Sequence, residues 1–290
     1  MSPMPTASVL AAELLKVRKR WLPYILLLPI VAGLAFQTFF GYFVIWRNEH
    51  DIGGLHVAVL PWSLASLLDL TQFLGAILLG VLAASVVGTE HGWGTVRQAL
   101  IRGQTRSQYL TTKLLGVAVL GAVGFVLVFG LGFLFSAIVT ALEDRPITLD
   151  LPAGGGPSYA NVALMALRAA YGMLPYVLLA FVLSVVARST TLGLAGVLVY
   201  VIVEAILLGI LGGVGGATAD VRAYFIGYNV VALLAANQIG QVGIFSLALR
   251  DNPPASQLPD PVVAALVLAL YCLVFLAIAY WVFQRRDLSA

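Results

Sequence analysis

The chain alternates between long apolar runs and short charged or glycine- and proline-rich ones. A helix needs about 20 mostly apolar residues to cross roughly 30 Å of hydrocarbon. Six stretches meet that length: Leu22–Ile45, Leu64–Val87, Leu114–Leu142, Val162–Ala187, Leu192–Leu211 and Val262–Phe283. Each is predicted to be a transmembrane helix, which makes the expected fold all-α and polytopic. Pro23 and Pro29 in the first span, and Gly172 with Pro175 in the fourth, are expected kinks. The third span is long enough to tilt or to project beyond the bilayer.

Ala223–Leu249 is also free of charge, yet it carries Asn229, Asn237, Gln238, Gln241 and three glycines. A lipid-exposed helix tolerates these poorly, and backbone that enters a membrane without crossing must be covered by protein or water. Tyr224–Ala236 and Ile239–Leu249 are therefore read as short re-entrant or interfacial helices before the sixth span. Segment 214–260 as a whole is assigned to the outer side. The Pro/Gly-rich stretches 151–157 and 251–261 read as external turns.

Composition strengthens this picture. Hydrophobic residues make up 61% of the chain and charged ones 10%, and the mean hydropathy is +0.99. Soluble domains carry about 25% charged residues, so lipid contact takes the place of a solvated surface. Residues 1–290 are expected to form a single membrane domain. A net charge of +3 in a soluble protein would raise nucleic-acid binding. Here no nucleic-acid partner is expected, because the bases have a more specific use in setting orientation. One side of the six-span layout holds Lys16, Arg18, Lys19, Arg20, Arg97, Arg102, Arg106, Lys113, Arg188, Arg285 and Arg286. The other holds Arg47, Arg145, Arg222 and Arg250. The richer side is predicted to be cytoplasmic, with both termini on it and a plasma-membrane location. The basic cluster before Trp21 resembles a signal-peptide start, but the run to Trp46 far exceeds the 7–15 residues or so of a signal core. A signal anchor is expected. The single Cys272 excludes an intrachain disulfide.

Two cytoplasmic segments carry the chemistry. In residues 1–21, Leu10, Leu14, Val17 and Trp21 recur at helical spacing, which predicts an interfacial helix with its bases near anionic headgroups. In residues 88–113, Trp93, Val96 and Leu100 fall on one helical face and Thr95, Gln98 and Arg102 on the other. Gly103 ends this short helix, and Thr105-Arg-Ser-Gln108 is a capping-box pattern opening the third span. An amphipathic helix held between two spans can dock a soluble partner and pass on its movement.

On these residues the chain resembles the type-2 ABC export permeases. The points of resemblance are Glu90 leaving the second span, then Gly94-Thr95-Val96-Arg97, Thr105-Arg106 and Lys113. The six-span layout and the basic N-terminal helix also agree. The resemblance implies that residues 88–113 form a coupling helix seated in a cytoplasmic ATP-binding subunit, with Glu90, Trp93, Thr95, Arg97 and Arg102 in the docking role. It also implies a second permease chain, in a homo- or heterodimer, and alternating access. The lysines are Lys16, Lys19 and Lys113 and none follows a glycine. The P-loop pattern that cradles phosphates is therefore missing, so ATP and Mg²⁺ are expected on the partner subunit. No cofactor or metal is expected on this chain, nor an enzymatic activity of its own.

Three ionisable residues fall within spans: Asp69, Arg168 and Glu204. Charges at such depth usually face the bundle interior or water and find partners. Asp69 and Arg168 enter from the same side at similar depth and make a candidate ion pair, while Glu204 is a candidate pathway residue. Two further readings compete with the ATP-driven exporter of a hydrophobic or amphipathic substrate. In one, an ion-coupled secondary transporter uses Asp69 or Glu204. In the other, the chain is a membrane scaffold.

Overall fold

The structure is a computed structural model that describes residues 6–47, 57–92, 95–101, 103–149, 158–214, 221–237 and 258–285. It is built of helices, with no strand among the described residues. They are α1 (Thr6–Arg18), α2 (Leu22–Arg47), α3 (Ser63–Gly92), α4 (Thr95–Ile101), α5 (Arg106–Leu142), α6 (Ser158–Ala187) and α7 (Thr190–Val214). A 3-10 turn at Arg222–Tyr224 then precedes α8 (Ile226–Ala235) and α9 (Pro261–Arg285). Among the described residues, α2, α3, α5, α6, α7 and α9 are the six long and apolar enough to span a membrane. The chain is a polytopic membrane protein.

The spans are not equivalent. Within their apolar windows, 61% of the residues of α3 and 67% of those of α6 are buried, against 17–22% in the other four. Thus α3 and α6 form the central pair, and α2, α5, α7 and α9 surround them with largely lipid-facing sides. Apolar burial against lipid gains little, so contact between spans depends on close packing of small residues. Gly88 of α3 lets the helix meet the start of α7, and Gly193 of α7 lies against Ser184 of α6. Pro29 and Pro175 lie inside continuous helices.

Several contacts gather α1, the α3–α5 connection, the α6–α7 turn and the end of α9 at one end of the bundle. The Arg20 guanidinium donates to Thr89 Oγ1 at 3.3 Å, and that of Arg106 donates to the Gln284 carbonyl at 2.5 Å. Trp21 and Trp46 are exposed at opposite ends of α2, where amphipathic rings favour the membrane–water interface.

Three helix boundaries differ from the sequence reading. The third span was expected to begin at Leu114, but α5 starts at Arg106 behind the N-cap Thr105 and runs 37 residues, or about 55 Å at 1.5 Å per residue. The capping box itself is present, since Thr105 Oγ1 accepts from Gln108 N–H and the Gln108 side chain accepts from Thr105 N–H. At the other boundary, α3 continues past Val87 to Gly92. In α1, Val9 and Val17 are buried and Leu10 and Leu14 half-buried, while Trp21 is exposed beyond the helix end. Trp21 therefore does not extend the packed stripe, because the chain turns at Lys19–Arg20 before it.

The expected short helix before the last span is α8. Its 10 residues rise about 15 Å, half of a hydrocarbon core. Every residue from Ile226 to Leu233 is buried, packed by α6, α7 and α9. The second expected helix, Ile239–Leu249, lies outside the described residues.

Close approach at Gly88 is testable. A Cβ there would lie 2.3 Å from Thr190 N and 2.6 Å from Thr190 Cα, both backbone atoms, whereas a Cβ at Gly116 meets nothing within 4 Å. Gly88→Ala is expected to lose about 1–3 kcal/mol through overpacking and to lower the melting temperature in detergent. Gly116→Ala is expected to leave that temperature unchanged or raise it.

Candidate functional site

Two polar centres stand out in an otherwise apolar bundle. The first lies at the end that carries α1. Because α3 continues to Gly92, it delivers Glu90 on its last turn, and because α5 starts early it delivers Tyr109 and Lys113 on its first two turns. Lys113 Nζ donates to Glu90 Oε1 at 2.7 Å and to Glu13 Oε2 of α1 at 2.5 Å. Lys16 Nζ also donates to Glu90 Oε1, and the Tyr109 hydroxyl donates to Glu90 Oε2 at 2.7 Å. Two acids thus meet two ammonium groups, and the cluster is neutral as a whole. The Lys113 and Glu90 side chains are 1% and 4% exposed, so the pairing is shielded from water. Stacking of Tyr109 on Phe283, with ring centroids 5.4 Å apart, ties α9 to the same place.

This cluster fixes the setting of α4, which hangs between α3 and α5. Thr95 Oγ1 donates to the Glu90 carbonyl at 3.3 Å. Gly103, at φ +94, ends α4, with Gly103 N–H on Leu100 O and Gln104 N–H on Ala99 O. That pair of bonds is the Schellman pattern, which calls for a left-handed residue and so favours glycine. Val96 is buried and Ala99 and Leu100 pack on the apolar core, while Arg97, Gln98 and Ile101 are exposed. The result is a short helix with one face anchored and the other presented.

The second centre lies deep in the bundle. Glu204 stands on α7, ten residues before its end at Val214, or about 15 Å along the helix. Its Oε1 accepts from Gly227 N–H at 2.7 Å and from the Tyr200 hydroxyl at 3.3 Å, and its Oε2 accepts from the Tyr176 hydroxyl at 3.0 Å. Gly227 is in the first turn of α8, where unpaired N–H groups and the helix dipole favour an anion. The start of α8 therefore lies at the depth of Glu204, well inside the bilayer, and protein covers it. At the other end of α8, the Arg168 guanidinium donates to Ala236 O and Asn237 Oδ1, each at 3.0 Å. One acid and one base thus hold the two ends of the same short helix, each at the end its charge favours.

Two sequence expectations are corrected. Arg168 does not pair with Asp69, because its guanidinium is committed to the C-terminal end of α8; the four ion pairs among the described residues all lie in the first cluster. Asp69 is half-buried on α3. Glu90 does not present its carboxylate for docking, since an anion ringed by two ammonium groups and a phenol is retained inside. Of the other expected docking residues, Arg97 is exposed and Thr95 is half-buried. Trp93 and Arg102 lie outside the described residues. The residues missed were the partners. Glu13 and Lys16, three apart on α1, gave a readable sign, but nothing marked Tyr176, Tyr200 or Gly227 within apolar text.

Comparison with known proteins places this arrangement in a family. Residues 30–289 match the model of the family described as "Protein of unknown function (DUF2705)". The chain belongs to this family. The match takes in α2 from Ile30 onward, the other five spans and both polar centres, apart from the α1 residues Glu13 and Lys16. The uncharacterized protein YhcI of Bacillus subtilis (strain 168) is 25% identical over 254 residues, covering 84% of this chain and 74% of that protein. Neither description carries an activity.

Both centres make predictions. Lys113→Met leaves two carboxylates facing one ammonium group; breaking a buried pair in this way typically costs about 3–5 kcal/mol. It is expected to lower the melting temperature and free α1, so that a cysteine replacing the buried Val17 becomes reactive to a thiol reagent. Adding Glu90→Gln restores neutrality, and the double variant should lose less than the two single losses combined. Unchanged Val17→Cys labelling in Lys113→Met would count against the anchoring role.

Glu204→Leu strips the acceptor from two buried donors, Gly227 N–H and the Tyr176 hydroxyl, and from the half-buried Tyr200 hydroxyl, and each buried unsatisfied group costs about 1–3 kcal/mol. Hydrogen exchange across 222–237 is expected to accelerate in this variant. Glu204→Gln keeps an oxygen for Gly227 N–H and should retain most of the protection.

Proposed function

We propose that the chain is the membrane-spanning permease subunit of an ATP-driven ABC exporter for a hydrophobic or amphipathic substrate. The observation that carries this reading is the setting of α4. Its Val96 face is buried against the spans, its N-terminal end is tied to the last turn of α3, and its C-terminal end is closed by Gly103 ahead of the capped start of α5. Arg97, Gln98 and Ile101 face outward. A soluble domain that grips this face pulls on α3 and α5 together, which is what a coupling element requires. In this reading that end of the bundle is cytoplasmic, the membrane is the plasma membrane, and the partner is an ATP-binding subunit that holds ATP and Mg²⁺. A second permease chain completes the transporter, and Trp93 and Arg102 join Arg97 in docking.

A second reading is favoured by Glu204. A carboxylate at mid-depth against the start of a re-entrant helix suits an ion-coupled transporter, in which binding or release of a proton moves α8. The two readings differ in what drives transport and in which residue each step depends on.

Reconstitution with the candidate ATPase in vesicles separates them. Arg97→Glu inverts the charge of the presented face, and in the exporter reading it is expected to reduce co-purification of the ATPase by about tenfold, a loss of about 1.4 kcal/mol. Glu204→Gln should leave that association intact. Transport that persists without ATP and stops when the ion gradient is collapsed would overturn the exporter reading and support the second.

A further inference from the structure

A cavity of about 350 Å³ lies between α2, α3 and α5, with Leu14 and Arg18 of α1 at one end and Met173 of α6 behind it. It falls within the range of small-ligand sites, about 300–1,000 Å³. Its wall along α3 runs from Thr71 to Leu82, about 16 Å of helix. Gly121 and Gly124 of α5 form part of the facing wall, and the missing side chains make the space. A Cβ at Gly124 would touch nothing nearer than Leu27 Cδ2 at 3.7 Å.

The lining points to one kind of occupant. Almost all of it is hydrocarbon or glycine backbone, as an alkyl chain requires. Tyr24, Val123 and Leu127 on its rim are also exposed on the outside of the bundle. The cavity therefore reaches the outside of the bundle between α2 and α5, where the bilayer lies. The one charged residue of the lining, Arg18, stands at the end nearest the interface, one helix end before Trp21. Arg18 makes no ion pair among the described residues. Deeper in, Thr71 is buried, so the surface open to an occupant there is the apolar one of Leu78, Leu79 and Leu82.

We propose that this cavity binds one acyl chain of an anionic phospholipid from the leaflet at the α1 end, with the headgroup phosphate at Arg18. The chain enters between α2 and α5 and lies along α3. Its headgroup touches the end of α1 that the Glu13–Lys113 pair anchors, so occupancy stabilises the docked position of α1. This assignment concerns a lipid site and holds whichever transport reading is correct.

The test uses the full chain in phosphatidylcholine vesicles containing a trace of phosphatidylglycerol or phosphatidylcholine with a photoreactive acyl chain. The labelled residues are then mapped by mass spectrometry. Label from phosphatidylglycerol is expected to concentrate on the 71–82 and 120–128 segments and to be displaced by unlabelled phosphatidylglycerol. Gly124→Leu, which fills the cavity, is expected to remove it. Arg18→Gln, a change at an exposed residue, is expected to reduce the preference over phosphatidylcholine by about fivefold, the effect of one base near the surface. The proposal fails if label spreads evenly over lipid-facing residues such as Phe36 and Phe40, or if it survives Gly124→Leu. It fails equally if a photoreactive free fatty acid labels the segment while the phospholipid does not. Absence of label because a second copy of the chain covers the opening would also overturn it.

Discussion

The Glu90 carboxylate organises one whole end of the molecule. It is a buried anion, and burying a charge is tolerated only when partners replace the lost water. Here the replacements come from two other helices, Lys16 on α1 and Lys113 and Tyr109 on α5, while Glu90 itself stands on α3. Satisfying one carboxylate therefore dictates where α1 lies, how far α3 and α5 extend beyond their apolar stretches, and at what separation they stand. The α4 helix inherits its position from those two ends. A pair of this kind adds little net stability over well-packed hydrocarbon; its effect is to specify an arrangement that apolar packing alone leaves loose.

Glu204 solves the same problem by different means. Among the described residues its partners are neutral: one backbone N–H and two phenols. Where Glu90 is locked by opposite charge, Glu204 is held by neutral donors, and its link to the start of α8 requires an acceptor oxygen facing Gly227 N–H. The side chains of Gln72 and Asn229 in the bundle interior each retain an unpartnered oxygen.

The spans were legible in the sequence because a bilayer imposes length and hydrophobicity on each helix separately, and neither depends on the neighbours. The caps around Gly103 and Thr105 were legible for the same reason, since a left-handed glycine and a capping box are local. The burial of Glu90 was not. A glutamate just beyond an apolar run reads as a surface residue until Lys16 and Lys113, 74 and 23 residues away, are known to converge on it. Arg168 misled in a similar way: depth suggested Asp69 as its partner, but a folded-back α8 offered carbonyl and amide oxygens closer by. Sequence gives depth along each helix axis and says little about rotation around it, and the choice of partner depends on rotation.

The central pair explains how the two centres are joined. Helix α3 carries Glu90 at one end and packs along its length on α6, and α6 carries Tyr176, which holds Glu204, and Arg168, which holds the far end of α8. A shift of α3 relative to α6 would therefore change the setting of α4 and the grip on α8 at once. Close packing at Gly80 against Ala180 and Gly75 against Met173 leaves little room for the two helices to move independently, because densely packed interfaces transmit displacement and do not absorb it. The flexible element in that seam is Met173, whose unbranched side chain borders both the α8 core and the lipid-facing cavity. Movement between α3 and α6 is thus expected to be taken up at Met173, a side chain that can re-pack without breaking a hydrogen bond.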